Sequence, residues 1–249
     1  MRYLVIDFES TGVDSDKGNG YRPYPATKKP LPRQNYPIHL SVGIVSEDGK
    51  TVEQCYSAHI SGAKRMAPWV EENVGITVGD CDSHGKPFAF VMDDLQNIFQ
   101  AGDTLVAHNI HHDLHEVLMT TFKCEGLVDH PMYEYFRTCK TFCTMYNSYT
   151  IRKMKAKYWA AKKMYIGPRL QALCDHLGVD YDEKLAHESA YDVNVTSQCL
   201  SKFINLGLVT ELCSPPKARE SRPPSSPPSS IDDELEALRC DELDFYEEF

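Results

Sequence analysis

Apolar and polar residues recur along the chain with the periods of strands and helices. The apolar run YLVI, followed at once by acidic residues, indicates a buried strand. Residues 38–60 indicate two strands joined by a turn at Asp48 and Gly49, which is a β-hairpin. Residues 87–102 place apolar side chains at helical spacing, and the short strand TLVAH follows them. This order of elements predicts an α/β fold in which helices flank a mixed sheet.

Residues 13–37 interrupt this pattern between the first strand and the hairpin. They are rich in Pro, Gly, Tyr and Lys, a composition that disfavours regular structure. We expect a basic, aromatic surface loop near the end of the first strand. Such a loop either contacts a substrate or only connects the two strands.

The C-terminal residues differ in composition from the rest of the chain. Residues 214–230 are rich in Pro and Ser, which predicts a linker, and residues 231–249 are acidic with interspersed apolar side chains. We therefore predict one domain over residues 1–213, followed by a disordered C-terminal tail. Residues 231–249 would dock to a partner in DNA replication or repair, mimic nucleic acid and restrain activity, or only solubilise the chain.

Net charge does not exclude a nucleic-acid partner. The chain carries a formal charge of −10, and residues 214–249 contribute −6 of it through ten acids and four bases. The remaining −4 equals the charge of four acidic residues that two divalent cations would neutralise. The local distribution of charge is therefore more informative than the total.

The cysteine pattern and the hydropathy indicate an intracellular protein. Nine cysteines are scattered without a CxxC pair, which favours a reducing compartment. No apolar stretch approaches the length of a membrane span, and no secretory signal pattern precedes the first strand. We expect a cytoplasmic or nuclear protein that is neither secreted nor bound to a membrane.

Four acidic residues in three short blocks are the strongest candidates for chemistry. Asp7 and Glu9 stand at i and i+2 after the first apolar run, so both point to one face of the strand. Asp113 follows the strand TLVA at the start of a helical pattern, and Asp192 lies on the apolar side of another. Like charges this close are costly unless cations neutralise them. The blocks predict one two-metal nuclease site.

The spacing of His187 and Asp192 predicts where the last helix begins. They are five residues apart, a rotation of roughly 140° between them on a continuous helix. Both can reach one cleft only if His187 lies in a loop before the helix that carries Asp192. The Asp192 face of that helix continues with apolar residues at helical spacing, which are Val195, Cys199, Phe203 and Leu206.

The blocks DFESTG, HNIHHD and HESAYD resemble the three exonuclease motifs of the DnaQ-like DEDDh family, which has a ribonuclease-H-like fold. That family includes the proofreading subunit of bacterial DNA polymerase III, oligoribonuclease and RNase T. The resemblance spans about residues 1–208 and includes the segment PRLQALCDHLGV before the third motif. Two features depart from the family pattern. His112 replaces the usual aromatic residue before Asp113, and the insertion over residues 13–37 is long.

The resemblance implies metal ligands, a general base and nucleotide contacts. The ligands of two Mg²⁺ or Mn²⁺ ions would be the carboxylates of Asp7, Glu9, Asp113 and Asp192. His187 would be the general base, since an imidazole with a pKa of about 6.5 suits proton transfer near neutral pH. The terminal nucleotide would contact residues of the first two motifs, which are Thr11, Gly12, His108 and Asn109.

A basic, aromatic segment offers further substrate contacts. Residues 152–169 contain seven bases, no acids and three aromatic residues. Bases that neutralise phosphates and rings that stack on nucleobases are typical of single-strand binding. The alternative is an exposed helix face without a binding role. The candidate contacts are Lys153, Lys155, Tyr158 and Trp159.

Together these observations predict a metal-dependent 3′–5′ exonuclease that releases nucleoside 5′-monophosphates from single-stranded or frayed DNA ends. The alternative within the same class is an exoribonuclease that trims RNA or degrades short oligoribonucleotides. The alternative from another class is a non-catalytic adaptor that binds nucleic-acid ends. Five intact catalytic positions argue against the adaptor.

Overall fold

A six-stranded mixed sheet forms the centre of the structure. The computed structural model describes residues 2–12, 35–147, 157–159 and 164–209. The strands of the sheet are β1 (Arg2–Ser10), β2 (Pro37–Ser46), β3 (Val52–Ser61), β4 (Lys86–Pro87), β5 (Thr104–Ala107) and β6 (Lys140–Cys143). They lie in the order β4-β3-β2-β1-β5-β6. The β1–β2 and β2–β3 pairs are antiparallel, whereas the β1–β5, β5–β6 and β3–β4 pairs are parallel.

Helices pack on both faces of this sheet. They are α1 (Pro68–Asn73), α2 (Val78–His84), α3 (Phe88–Ile98), α4 (Met119–Cys124), α5 (Pro131–Thr138), α6 (Leu170–Leu177) and α7 (Ser189–Asn205). A π-helical segment, His112–Leu118, leads directly into α4, and a 3₁₀ turn spans Glu183–Leu185. A separate hairpin pairs β7 (Lys157–Trp159) with β8 (Met164–Ile166). In the part of the chain that the structure describes, no helix has the length and apolar content needed to cross a membrane.

Strand β1 separates two hydrophobic cores, because both of its faces are covered. Side chains alternate between the two faces of a strand. The core on the α3 side contains the even-numbered residues Leu4, Ile6 and Phe8. The core that α6 and α7 complete contains the odd-numbered residues Tyr3 and Val5. Asp7 and Glu9 continue the odd-numbered face, so the strand directs both carboxylates to the side where α7 packs.

Helix α7 lies close against β2, because glycine leaves room for it. A Cβ on Gly43 would lie 2.9 Å from Val193 Cγ1. At the turn of the β2–β3 hairpin, the Ser201 hydroxyl donates a hydrogen bond to the carbonyl of Gly49. The helix therefore runs along β2 toward the hairpin turn, and its first turn, with Asp192, lies near the beginning of that strand.

The predicted order of elements is confirmed. The hairpin turn lies at Asp48 and Gly49, where Gly49 has a φ of 68°, a left-handed conformation that favours glycine. Helix α3 buries its predicted apolar face, and Phe99 is buried just after its end. The segment before the third motif forms α6. The fold class is the predicted mixed sheet with flanking helices.

Two local predictions were wrong. Residues 35–37 do not belong to a surface loop: Tyr36 is buried, its hydroxyl donates to the carbonyl of Ser61, and Pro37 begins β2. Leu206 does not continue the buried face of α7. That helix ends at Asn205, so helical spacing no longer applies and the Leu206 side chain is exposed.

Several predictions lie outside the described residues. They concern most of the insertion, residues 13–34, and both parts of the tail, residues 214–230 and 231–249. The predicted end of the domain at residue 213 also lies outside, because the described part of the chain ends at Val209.

Candidate active site

Three carboxylates converge where β1 ends beside the first turn of α7. Asp7 and Glu9 come from β1, and Asp192 comes from the first turn of α7. One carboxylate oxygen from each residue lies within 4.8 Å of the other two. Within the described residues, no other group of three or more histidine, cysteine or acidic side chains is close enough to hold a metal ion.

Asp113 joins this cluster from the π-helical segment. It is buried, and its Oδ1 accepts a hydrogen bond from the backbone N–H of Phe8 at 3.0 Å. Because Phe8 stands between Asp7 and Glu9, this bond ties the second acidic block to the strand of the first. The sequence predicted a helix here, and the observed helix is π-helical at Asp113, a widened form that is frequent at functional sites.

Burial raises the pKa values of all four carboxylates, and repulsion from neighbouring carboxylates adds to the rise. Burial first, and then the charges of Asp192 and Asp113, raise the pKa of Glu9 to about 8. The pKa of Asp7 is raised well above its ordinary value by burial and then by the other three carboxylates. Burial also raises the pKa of Asp113 and of Asp192 to about 6; the charge of His112 and then a backbone hydrogen bond oppose the rise at Asp113, and a backbone hydrogen bond opposes it at Asp192.

The donor set fits divalent cations. Asp192 Oδ1 is buried and has no hydrogen-bond partner among the described residues, so an anionic oxygen is left uncompensated. Mg²⁺ and Mn²⁺ prefer carboxylate oxygens as ligands. A cation among Asp7, Glu9 and Asp192 would satisfy this oxygen and remove the repulsion among the three carboxylates.

His187 lies in the turn before α7, as its spacing from Asp192 predicted. Its backbone is left-handed, with a φ of 68°, and its N–H donates to Asp192 Oδ2 at 3.1 Å. The exposed imidazole meets the ring of Trp69 edge-on, with 5.3 Å between the ring centroids. Burial of part of the ring, and then the charge of Arg169, lower the pKa of His187. The imidazole is therefore neutral near pH 7 and able to accept a proton.

The turn at Thr11 and Gly12 joins β1 to the region of α1. The Thr11 N–H donates to the carbonyl of Tyr36, and the Thr11 carbonyl accepts from the N–H of Ala67, both at 2.9 Å. Gly12 has a φ of 70°, and a Cβ at this position would press on α1. The turn is thus fixed from two sides, beside the helix that carries Trp69. The nucleotide contact predicted for this turn stays a prediction.

His108 and Asn109 follow β5 on another side of the site. Both ring nitrogens of His108 have protein partners, the Thr144 hydroxyl and the Pro168 carbonyl, each at 3.0 Å. Burial lowers the pKa of His108 to about 4, so a neutral ring holds the chain before α6 against the end of β6. Asn109 is left-handed, with a φ of 72°; among the described non-glycine residues, only His187 shares this conformation. The substrate contacts predicted for both residues stay predictions, and His108 would have to break a protein hydrogen bond to make one.

The remaining predicted contacts belong to the basic segment. Lys153 and Lys155 lie outside the described residues. Tyr158 and Trp159 belong to β7, of which the structure gives the backbone, paired antiparallel with β8. The hairpin excludes a helix at these positions, which was the alternative interpretation. Stacking by the two rings stays a prediction.

Two features beside the carboxylates were not predicted. Trp69 is 54% exposed and lies beside His187, although the two are far apart in the sequence. His39 and Ser41 lie on β2 directly opposite the two acidic residues of β1. The sequence signal for these two was present, since they are polar residues at alternate positions of the otherwise apolar run IHLSVGIV. No local pattern marked Trp69, because α1 is only six residues long.

One protein-family model matches most of the chain. It is the RNase T family, described as an exonuclease, and it matches residues 4–200. The matched range contains all five predicted catalytic residues. No curated protein sequence matches the chain.

Solved structures of exonucleases share the fold at low sequence identity. The nuclease domain of 3′hExo, a DEDDh family member solved bound to rAMP, has a TM-score of 0.63 and 13% identity, covering 86% of this chain and 96% of that one. A 3′-exonuclease that recognises the 3′ end of a histone mRNA stem-loop has a TM-score of 0.59 and 14% identity, covering 86% and 89%. E. coli Exonuclease I in complex with a dA16 oligonucleotide has a TM-score of 0.55 and 15% identity, covering 81% and 40%. These likenesses confirm the predicted ribonuclease-H-like fold.

Proposed function

The chain belongs to the RNase T exonuclease family, as a nuclease of the DnaQ-like DEDDh type, and from this premise we propose that it is a metal-dependent 3′–5′ exonuclease of single-stranded or frayed DNA ends. The observation that carries the proposal is the approach of carboxylate oxygens of Asp7, Glu9 and Asp192 to within 4.8 Å. The backbone N–H of His187 donates to the carboxylate of Asp192. The side chain of the same residue is a neutral imidazole that can accept a proton. A divalent cation site together with a proton acceptor can carry out phosphodiester hydrolysis.

The site residues divide between charge neutralisation and proton transfer. Two divalent cations held by Asp7, Glu9, Asp113 and Asp192 would supply Lewis-acid stabilisation of the developing charge. The His187 imidazole accepts a proton from the attacking water, while its backbone N–H keeps Asp192 in place. The water oxygen bonds to phosphorus, the P–O3′ bond breaks, and the leaving 3′ oxygen takes a proton from solvent. The products are a nucleoside 5′-monophosphate and a chain with a new 3′ hydroxyl.

The surface beside His187 suits the terminal nucleotide. Trp69 is exposed there, and a base stacked on an aromatic ring gains about 1–3 kcal/mol. The turn at Thr11 and Gly12 lies next to the same helix. We infer that the terminal base stacks on Trp69 while its phosphate reaches the carboxylates. The basic segment over residues 152–169 would contact nucleotides further from the 3′ end.

DNA is the proposed substrate, and RNA is a second candidate that specific observations favour. Exonuclease I, one of the similar structures, was solved with a dA16 oligonucleotide. The 3′hExo nuclease domain was solved with rAMP, and another similar 3′-exonuclease recognises histone mRNA. These two structures support the exoribonuclease alternative.

Degradation of matched oligonucleotides tests the proposal. Single-stranded DNA and RNA of one sequence, each labelled at the 5′ end, are incubated with the full chain in Mg²⁺ or in EDTA. We expect a ladder of labelled products on DNA that disappears in EDTA. A ladder on RNA alone would establish the second candidate. Binding of both oligonucleotides without cleavage of either would overturn the proposed activity and favour the end-binding adaptor.

A further inference from the structure

Four polar side chains form a closed ring of hydrogen bonds between the sheet and α7. His39 Nδ1 lies 2.6 Å from Ser189 Oγ, and His39 Nε2 lies 3.3 Å from Ser57 Oγ. Ser41 Oγ closes the ring, at 2.8 Å from Ser189 Oγ and 3.1 Å from Ser57 Oγ. The ring therefore connects β2, β3 and the first residue of α7.

This ring lies directly beside the carboxylates of β1. In the antiparallel β1–β2 pair, Ser41 stands opposite Asp7 and His39 stands opposite Glu9. Residues opposed in this way project from the same face of the sheet, with Cβ atoms about 4.5–5.5 Å apart. The helical member of the ring begins the same turn of α7 that carries Asp192. A single polar network thus borders the elements that supply all three converging carboxylates.

The hydrogen-bonding capacity of the ring is balanced. A neutral imidazole has one donor and one acceptor, and each hydroxyl has one donor. Four groups can therefore each donate once around the ring. Burial, and then the neighbouring His59, lower the pKa of His39 to about 4, which keeps the imidazole neutral. Ser41 and Ser189 are buried, so removal of either hydroxyl leaves a buried polar partner unsatisfied.

We propose that this ring positions the metal-binding carboxylates, a role that rests on the nuclease function proposed above. Ser189 fixes the first turn of α7 against β2, and β2 pairs with β1. Asp192 is thereby held within reach of Asp7 and Glu9. Without the Ser189 contacts, fewer hydrogen bonds would hold the first turn of α7 to β2, and the distance from Asp192 to the carboxyl groups of β1 would vary more when no cation is bound. The ring residues are positioning residues that act through the carboxylates.

Measurements of Mn²⁺ affinity distinguish a role of the ring in positioning the carboxylates from a role in overall stability. Free Mn²⁺ is measured from its electron paramagnetic resonance signal in titrations of the full-length wild type, Ser189→Ala and Ser41→Ala. We expect Ser189→Ala to weaken Mn²⁺ binding about tenfold and to lower kcat, with KM for the oligonucleotide unchanged. The Ser41→Ala/Ser189→Ala double variant should bind Mn²⁺ no more weakly than Ser189→Ala, because either substitution opens the same ring.

Ser201→Ala is the matched control. It removes another serine hydrogen bond between α7 and the β2–β3 hairpin, near the C-terminal end of the helix. We expect a comparable decrease in Tm, measured in EDTA, with Mn²⁺ binding unchanged. Ser189→Thr keeps a hydroxyl and should restore binding. Ser57→Ala changes an exposed member of the ring and provides a second variant if Ser189→Ala does not fold, with weaker Mn²⁺ binding expected.

Wild-type Mn²⁺ affinity in both Ser189→Ala and Ser57→Ala, together with normal cleavage by the wild type, would overturn the positioning role alone. Equal weakening of Mn²⁺ binding by Ser201→Ala would also overturn it, because a general loss of stability would then explain the effect. A wild type that neither binds Mn²⁺ nor releases nucleotides would overturn the proposed function, and the positioning role with it.

Discussion

The buried carboxyl group of Glu9 destabilises the metal-free fold, whereas in the proposed metal-bound state a cation would neutralise its charge. Burial and the neighbouring carboxylates raise its pKa to about 8, so the folded protein without a cation keeps this group protonated near neutral pH. A carboxylate that binds a divalent cation must be ionised, so cation binding releases the proton. Such destabilised groups are common where function, rather than stability, selects the residue.

The stability of the metal-free protein should fall as pH rises. A group whose pKa is higher in the folded than in the unfolded state contributes stability that is lost between the unfolded and the folded pKa. For Glu9 this window runs from the ordinary 4.5 to about 8, and the raised pKa values of Asp113 and Asp192 add to it up to about 6. Buried neutral histidines such as His39 and His108, with pKa values of about 4, add stability as pH rises to about 6.5, so thermal unfolding in EDTA should give a Tm that decreases from about pH 6.5 to about pH 8.

Glu9→Gln should remove much of this dependence on pH. We expect its Tm in EDTA to exceed that of the wild type at about pH 8, while Mg²⁺-dependent nucleotide release is lost. Glu72→Gln, at an exposed position of α1, is the control and should change neither quantity. A wild-type Tm that increases between about pH 6.5 and about pH 8 in EDTA would contradict the raised pKa of Glu9.

His187→Asn tests proton transfer without disturbing the turn before α7. Asparagine tolerates the left-handed φ of 68°, so the backbone N–H should still donate to Asp192. Loss of a general base lowers kcat by roughly 10²–10⁴-fold, with Mn²⁺ binding unchanged. The single-turnover rate of His187→Asn would be compared with that of a control, His176→Asn, which changes an exposed histidine of α6. A wild-type rate in His187→Asn would assign the proton transfer to another group.

At the scale of elements, the contact between α7 and β2 determines where the helix presents Asp192. Gly43 lies where the helix approaches the strand closely, near the turn of α7 that carries Asp192. A glycine within an apolar strand often marks the close approach of another element. The sequence therefore contained a signal for this packing.

Gly43→Ala should displace α7 from the sheet. Its Cβ would lie 2.9 Å from Val193 Cγ1 and 3.1 Å from Ser197 Oγ, and overpacking of this kind costs typically about 1–3 kcal/mol. We expect urea unfolding to show this decrease in the free energy of unfolding. Mn²⁺ binding should also weaken, because Asp192 moves with the helix. Gly79→Ala in α2, where the nearest atom would be 3.6 Å away, is the control and should retain wild-type stability. Equal stability of the two variants would show that α7 is not packed as closely as described.

Periodicity predicted the long elements better than the short ones. Helices α3 and α7 contain several turns of apolar spacing, which a sequence pattern can reveal. Helices α1 and α2 have six and seven residues, too few turns for a periodic signal, and they were not predicted. The segment around Asp113 was predicted only as helical, because apolar spacing does not distinguish α-helical from π-helical hydrogen bonding.

At the scale of the whole molecule, local patterns predicted the acidic residues but not their surroundings. The period of a strand places Asp7 and Glu9 on one face, and the spacing from Asp192 placed His187 in a loop. Trp69 beside His187, and the ring that includes His39, depend on contacts between residues far apart in the sequence. A local pattern marks His39 and Ser41 as polar positions in an apolar strand, but it does not encode their distant partners, which only the folded structure reveals.

Deletion of the C-terminal tail should remove partner binding without changing catalysis. We propose that residues 231–249 dock to a protein partner, since they combine acidic and apolar side chains after a Pro/Ser-rich linker. Deletion of residues 214–249 should then leave nucleotide release from free oligonucleotides unchanged, because the residues assigned to catalysis lie within residues 4–200. Rates of the full-length and truncated chains would be compared at several salt concentrations. A higher rate after deletion would instead support a tail that mimics nucleic acid and restrains the enzyme.

Nucleotide release by the wild type and by Asp192→Asn tests the central claim most directly. Asp192 supplies a buried carboxylate oxygen that lacks a hydrogen-bond partner within the described structure. The wild type should release nucleoside 5′-monophosphates from the 3′ end only with Mg²⁺ or Mn²⁺, and Asp192→Asn should fall to the level measured in EDTA. Asp175→Asn, at an exposed position of α6, should match the wild type. Release that persists in EDTA, or a wild-type rate in Asp192→Asn, would contradict a metal-dependent site built on these carboxylates.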